Sequence, residues 1–292
     1  MSKTNVHPMA IVEPGAQLGD GVTVEAYAIV KENVILEDHV TIKSHAYIDG
    51  HTTIKKHTTI WPSASIGTQT QDLKFSGEKT FVEIGEHCHI REFATINSST
   101  QEGTTVRVGN HCLIMSYCHI AHHCTVGNHV IMSNNSLLAG HVDVEDYAII
   151  GGMTPVHQFV RIGCHAMVGG MSRVTNDVPP YTLGGGIPYL LGGINRIGLK
   201  RRGFAFETRR ALAKAFRLLY RSSLHLTEAL DQIEAEIDSC PEIKHFVEFC
   251  RRSKRGLIGV GQKHSAPTVV KNNFAEKKRT SADLLLEVGS EG

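Results

Sequence analysis

The chain has 292 residues, 30 of them basic and 29 acidic, for a formal net charge of +1. A balance this even, with aromatic residues at 6%, argues against a nucleic-acid groove built from basic and stacking side chains. No apolar stretch approaches the length of a membrane span and Met1 to Gly15 holds no apolar signal run, so a cytoplasmic protein is expected.

From Val6 to Val174 every sixth residue is aliphatic, except Asp72, Glu78 and Glu102. Val6, Val12, Leu18 and Val24 begin the series; Ile42, Ile48, Ile54, Ile60 and Ile66 continue it; Ile162, Val168 and Val174 end it. Four residues after each aliphatic the side chain is usually small, as at Ala10, Ala28, Ala46, Ala64, Ala94, Ala148 and Ala166, with Val, Thr or Cys elsewhere. A helix repeats about every 3.6 residues and a strand every two. A period of six instead predicts a hexapeptide solenoid, a parallel β-helix in which each hexad is one short strand and one corner. Three hexads close a triangular coil, the aliphatic points inward, and each coil touches only its neighbours. Counting every hexad predicts nearly ten coils and a prism about 45 Å long at ~4.8 Å per coil. Asp72 and Glu78 fall in a segment that loses the pattern, read as a loop thrown out over residues 67–83, with a shorter excursion from Ser98 to Thr105. Loops leaving a rigid scaffold are common places for binding residues. Of the seven cysteines, Cys88, Cys112, Cys118 and Cys124 occupy the small-residue slot and read as interior filling, not as disulfides or metal ligands.

The period ends near Asp177-Val-Pro-Pro-Tyr, so residues 1–178 are read as the β-helix domain. A Gly-rich connection opens the second region, 179–258, and a helical period follows. Leu212, Ala215, Phe216 and Leu219 mark one helix; Leu226, Leu230, Ile233 and Ile237 a second; Pro241, Ile243, Phe246, Val247 and Cys250 a third. Residues 259–292 are polar and aperiodic and read as a disordered tail. Lys200, Arg201, Arg202, Arg209, Arg210, Arg217 and Arg221 cluster around the first helix. They form either a solvated helix surface or a docking surface for an acidic partner or a phosphate-bearing substrate.

Among 18 histidines, His119, His122, His141 and His157 stand apart. His141 lies one coil plus one residue after His122, and His157 two coils less one, so the solenoid brings these three to one edge within roughly 10 Å along the axis.

At these residues the chain resembles the UDP-N-acetylglucosamine O-acyltransferase family. The resemblance is carried by Cys118-His-Ile-Ala-His-His-Cys-Thr-Val-Gly-Asn, Leu138-Ala-Gly-His, Ile150-Gly-Gly-Met-Thr-Pro-Val-His-Gln-Phe, Gln71-Asp-Leu-Lys and Gly198-Leu-Lys-Arg-Arg-Gly-Phe. It runs from about residue 6 to residue 258. It implies a left-handed β-helix followed by helices, and a homotrimer with each site between adjacent prisms. It also implies transfer of a 3-hydroxyacyl chain from acyl carrier protein to the glucosamine 3-hydroxyl of UDP-N-acetylglucosamine, the first step of lipid A synthesis, with no cofactor or metal. By motif, His122 matches the general base and Gly140 the oxyanion donor. His141, His157 and Gln158 match sugar and nucleotide contacts; His119, Asn195, Arg201 and Arg202 match contacts on the diphosphate side. Asp72 and Lys74 match substrate contacts from the neighbouring subunit, and Met167 and Gly170 the acyl groove. Where the family commonly carries a carboxylate after the base, this chain has His123, so another group must orient the imidazole. Where some members close the acyl groove with a histidine, this chain reads Gly186-Ile-Pro-Tyr.

Three other readings compete. A related N-acyltransferase of the same pathway shares the architecture but carries an extra domain before the repeats. A trimeric zinc carbonic anhydrase of similar fold would use histidines such as His119, His122 and His157 as ligands. A non-catalytic scaffold would leave the histidines without a role.

Overall fold

In each hexad a small residue, a partly exposed residue and a buried aliphatic precede a two-residue turn, and this pattern decides the backbone. A computed structural model of the chain describes residues 3–259. Twenty-five short strands, from β1 (Asn5–Val6) to β25 (Met167–Val168), wind into three parallel sheets. Partners lie one coil apart: Asn5 pairs with Thr23, Thr23 with Thr41, Thr41 with Thr59. Ile42, Ile48, Ile54, Ile60 and Ile66 are completely buried and stack along the axis, each stabilising the prism by about 1.5–3 kcal/mol.

The coil count is lower than the hexads suggest. The second and third sheets have eight strands each, which gives a prism about 38 Å long. The three failing hexads leave the ladder: Thr59 pairs with His89 and His89 with Leu113, intervals that exceed a coil by two hexads and by one. A charged side chain cannot fill the apolar interior, so the loss of an aliphatic at Asp72, Glu78 and Glu102 coincides with departure from the prism.

The three edges differ in chemistry. Among the described residues the corner takes a left-handed conformation at 19 non-glycine positions, nine of them histidine, half of the chain's 18 histidines. Histidine is among the residues enriched in that region of φ/ψ space. On the third edge, between the third and first sheets, His39, His57, His87, His111, His129, Tyr147 and His165 stack with ring centroids 4.5–5.0 Å apart. Inside, the four cysteines of the small slot are buried and unbridged. Each donates its thiol to a carbonyl of the next coil, as Cys88 does to Gly109 O at 3.0 Å and Cys124 to Ala139 O at 3.1 Å.

Beyond β25 the Gly-rich connection is ordered: it forms a hairpin of β26 (Thr182–Gly185) and β27 (Leu190–Ile194) that extends the first sheet. Helix α1 (Arg196–Arg201), which the periodicity does not reveal, is too short to show a repeat. The three expected helices follow as α2 (Phe206–Arg221), α3 (Leu226–Glu236) and α4 (Pro241–Arg251), with Pro241 in the first turn of α4. Leu212, Phe216, Leu230, Ile233 and Phe246 are buried between them. The helices are tied to the prism. The Arg161 guanidinium lies 4.0 Å above the Phe249 ring, and buried Asp177 accepts from the Arg161 amide at 2.9 Å and from Ser253 Oγ at 2.7 Å. The expected tail lies outside the described residues apart from Gly259, whose carbonyl accepts from the Leu191 amide at 2.9 Å. No helix among the described residues is long and apolar enough to cross a membrane.

Candidate active site

Both excursions leave the prism at the second edge, between the second and third sheets, and the next corner along that edge is His122-His123. His123 and His141 are successive left-handed corners. Their rings stack at 4.3 Å, and His141 stacks on Phe159 at 4.5 Å, which holds the column rigid. His122 stands edge-on to this column, 5.2 Å from the His141 centroid. Its Nδ1 is 2.9 Å from His123 Nδ1, and its Nε2 is 3.5 Å from Asp72 Oδ2. Asp72 is held in turn by the Lys74 amide at 3.0 Å and by its own amide donating to Thr70 Oγ1 at 3.3 Å. The shorter excursion supplies Ser99, whose Oγ accepts from the His123 amide at 2.9 Å, while the Ser99 amide donates to Thr80 Oγ1 at 3.2 Å. Ser99 and Thr80 are buried positioning residues with no periodic or motif signal in the sequence.

Gly140 lies one coil above His122. A Cβ there would overlap the imidazole ring, so only glycine permits this approach. Flanking amides are engaged, Ala139 with Val156 O and His141 with His122 O. The Gly140 amide has no acceptor among the described residues and remains available beside the ring.

The electrostatics favour neutral imidazoles beside an anion. Burial holds His119, His123 and His141 below the usual histidine range, and charge on neighbouring imidazoles pushes them the same way. The Lys74 amide holds the Asp72 carboxyl below its usual range. An imidazole with one nitrogen hydrogen-bonded and the other beside a carboxylate can take a proton from an alcohol, and a free amide nearby can stabilise a developing oxyanion.

The family model for UDP-N-acetylglucosamine O-acyltransferase, domain 2, matches residues 177–258. The bacterial transferase hexapeptide model matches residues 15–50 and 105–140. An acyl-[acyl-carrier-protein]–UDP-N-acetylglucosamine O-acyltransferase of Chlamydia muridarum is 63% identical over 255 residues, covering 87% of this chain and 91% of the relative; the Chlamydia caviae relative is 61% identical over the same span. The chain belongs to the UDP-N-acetylglucosamine O-acyltransferase family.

Solved structures of the family agree. The UDP-N-acetylglucosamine acyltransferase of Campylobacter jejuni superposes with a TM-score of 0.82 at 40% identity, covering 88% of this chain and all of that one. The Moraxella catarrhalis enzyme gives 0.83 at 40% identity, covering 87% and 99%. The fold class is therefore the left-handed parallel β-helix of hexapeptide repeats with helices after it. Membership of the O-acyltransferase family also sets aside the N-acyltransferase, carbonic anhydrase and scaffold readings.

A single chain gathers only part of the site expected for the family. His122, His123, His141, Gly140 and Asp72 converge. The loop folds back over the prism, and Asp72 lies beside the His122 of its own chain. Lys74 is carried on the same loop. His157 and Gln158 lie further along the same edge, with His157 Nδ1 accepting from Arg255 Nη2 at 2.8 Å. His119 is on the adjoining second sheet, its Nδ1 2.7 Å from Thr95 Oγ1. Asn195, Arg201 and Arg202 are elsewhere, on the third edge. Asn195 caps α1 through the Gly198 amide and donates to His165 O at 3.0 Å, and the Arg202 guanidinium covers the Tyr147 ring at 4.5 Å. Met167 is on the first sheet and Gly170 on the first edge, beyond β25.

Proposed function

We propose that this chain transfers a 3-hydroxyacyl group from acyl carrier protein to the glucosamine 3-hydroxyl of UDP-N-acetylglucosamine, the opening step of lipid A synthesis. The observation that carries the reading is His122, fixed at Nδ1 by His123, with Nε2 3.5 Å from Asp72 Oδ2 and its ring packed against Gly140. In the reaction His122 Nε2 takes the proton of the sugar hydroxyl as its oxygen attacks the thioester carbonyl. The Gly140 N–H donates to the resulting oxyanion. Collapse forms the ester and expels the carrier's thiolate, which takes the proton back from His122. No bond to the enzyme forms, and the protein supplies every catalytic group, so no metal or cofactor is called for.

Asp72 and Lys74 are proposed to hold the sugar, His141, His157 and Gln158 to contact sugar and nucleotide, and His119 to approach the diphosphate side. Arg201, Arg202 and Asn195 lie on a different edge from His122, and Met167 and Gly170 are on the side of the first edge. This separation supports a homotrimer in which a neighbouring prism brings its third edge to the His122 edge. The dispersal also supports an acyl groove running between prisms. The basic helices, with an acidic carrier protein as donor, support a cytoplasmic location.

The test is an acyl-transfer assay with UDP-N-acetylglucosamine and a panel of acyl carrier protein thioesters, with and without the 3-hydroxyl. Ester formation at the 3-hydroxyl is expected. Amide formation, or no transfer from any donor, overturns the reading.

A further inference from the structure

Glu145, Cys164 and His245 meet where α4 packs against the prism, on the third edge and away from the chain's own His122. Glu145 and Cys164 are one coil plus one residue apart, each in the turn after a strand of the third sheet. Glu145 Oε2 accepts from the Cys164 amide at 2.8 Å and lies 2.7 Å from His245 Nε2. The thiol sulfur, an imidazole nitrogen and a carboxylate oxygen all lie within 4.8 Å of one another. All three residues are half-buried, and they line one wall of an open cleft of about 700 Å³. One thiol, one imidazole and one carboxylate this close together, beside an open cleft, is a donor set that zinc takes. The soft thiolate disfavours magnesium and calcium, which prefer oxygen alone.

A second cluster, His122, His123 and His141, is as tight in distance but not in direction. The His123 and His141 rings are stacked within 11° of parallel, so their in-plane lone pairs run side by side and do not meet at one ion. Around Glu145 the donors come from two turns of the prism and from a helix, three separate directions.

We propose that Glu145, Cys164 and His245 form a zinc site, completed by water from the cleft, that clamps α4 to the prism. Cys164 binds as the thiolate and its proton passes to solvent. The ion then replaces the direct His245–Glu145 contact, and the helices become harder to detach from the coils.

The test uses the full-length protein freed of metal by chelation. Titration with Zn²⁺ is expected to give one ion per chain at micromolar affinity or better, with a rise in melting temperature. Replacement by Co²⁺ is expected to show a thiolate-to-metal charge-transfer band. Cys164→Ser should abolish the band and weaken zinc at least tenfold, while His122→Ala leaves both intact. A measurement on the unmutated chain guards against misfolded variants: zinc should slow alkylation of Cys164 more than tenfold, located by peptide mapping. Absence of stoichiometric zinc, zinc without the band, or alkylation of Cys164 indifferent to zinc each overturns the site. Zinc lost in His122→Ala but kept in Cys164→Ser places the ion at the other cluster and overturns it equally.

Discussion

His122 Nδ1 lies 2.9 Å from His123 Nδ1, so the two imidazoles share one hydrogen at this contact. For His122 Nε2 to accept a proton, His122 must carry its hydrogen on Nδ1 and donate it to His123. His123 then carries its own hydrogen on Nε2, a buried atom with no hydrogen-bond partner among the described residues. A neutral acceptor thus stands where a carboxylate would hold the base by charge, and the Ser99 hydroxyl pins the turn that presents it.

His122→Ala is expected to lower kcat by about a hundred- to ten-thousand-fold, the usual range for a general base. The circular dichroism spectrum should stay unchanged, because the side chain is not part of the prism core. A loss below tenfold would transfer the role to another group, with His119 first in line.

His123→Asp should preserve most activity and move the acidic limb of the kcat–pH profile upward. A carboxylate beside His122 stabilises the imidazolium, so the base is lost to protonation at a higher pH. His123→Phe keeps the ring stack on His141 but removes the acceptor. It should lower kcat by about tenfold or more with little change in KM, the pattern of a positioning residue. Equal pH profiles for the Asp variant and the parent would show that position 123 does not reach the base.

Gly140→Ala forces its new methyl into the His122 ring, because both ends of that contact are fixed by the stacked corners. Activity should fall by at least about a hundredfold, comparable to losing an oxyanion donor. Measured stability should drop far less than activity does. An active Ala variant would mean that the ring and the corner can separate.

Gly170 sits one coil above Gly152, and a Cβ there would lie 3.2 Å from Gly152 O. Gly170→Met is expected to shift preference toward shorter acyl chains or toward chains lacking the hydroxyl. Each methylene removed from an apolar groove is worth roughly 0.8 kcal/mol. The readout is the ratio of kcat/KM across chain lengths; an unchanged ratio with activity intact removes position 170 from the groove.

The histidine column of the third edge carries a pH dependence of stability. Burial, reinforced by the Arg202 charge, holds His165 at about 4, and burial also lowers His129. The folded value lies below the unfolded one, near 6.5. The folded state therefore resists protonation: this contribution is complete above about pH 6.5 and is lost as pH falls toward 4. Urea melts across that window should show falling stability in the parent and a flatter profile in His165→Phe, which retains the stack. Identical slopes would locate the acid sensitivity elsewhere.

The hexad period alone determined most of the core, because in a solenoid each interior residue meets its counterpart one coil away and the pattern repeats the contact. Ile42, Ile60 and Ile90 are buried as that period requires, and Cys88 to Cys124 fill the small slot. The same arithmetic brought His122, His141 and His157 to one edge. The three charged hexads announced the loops but not where they go. Only the tertiary structure returned Asp72 to its own His122 and placed Ser99 under His123, since those contacts join aperiodic segments through single side chains. The hairpin from Thr182 to Ile194 and the Glu145–His245 contact were hidden for the same reason: each pairs residues whose spacing follows no repeat, and their partners are chosen by packing across distant stretches of chain.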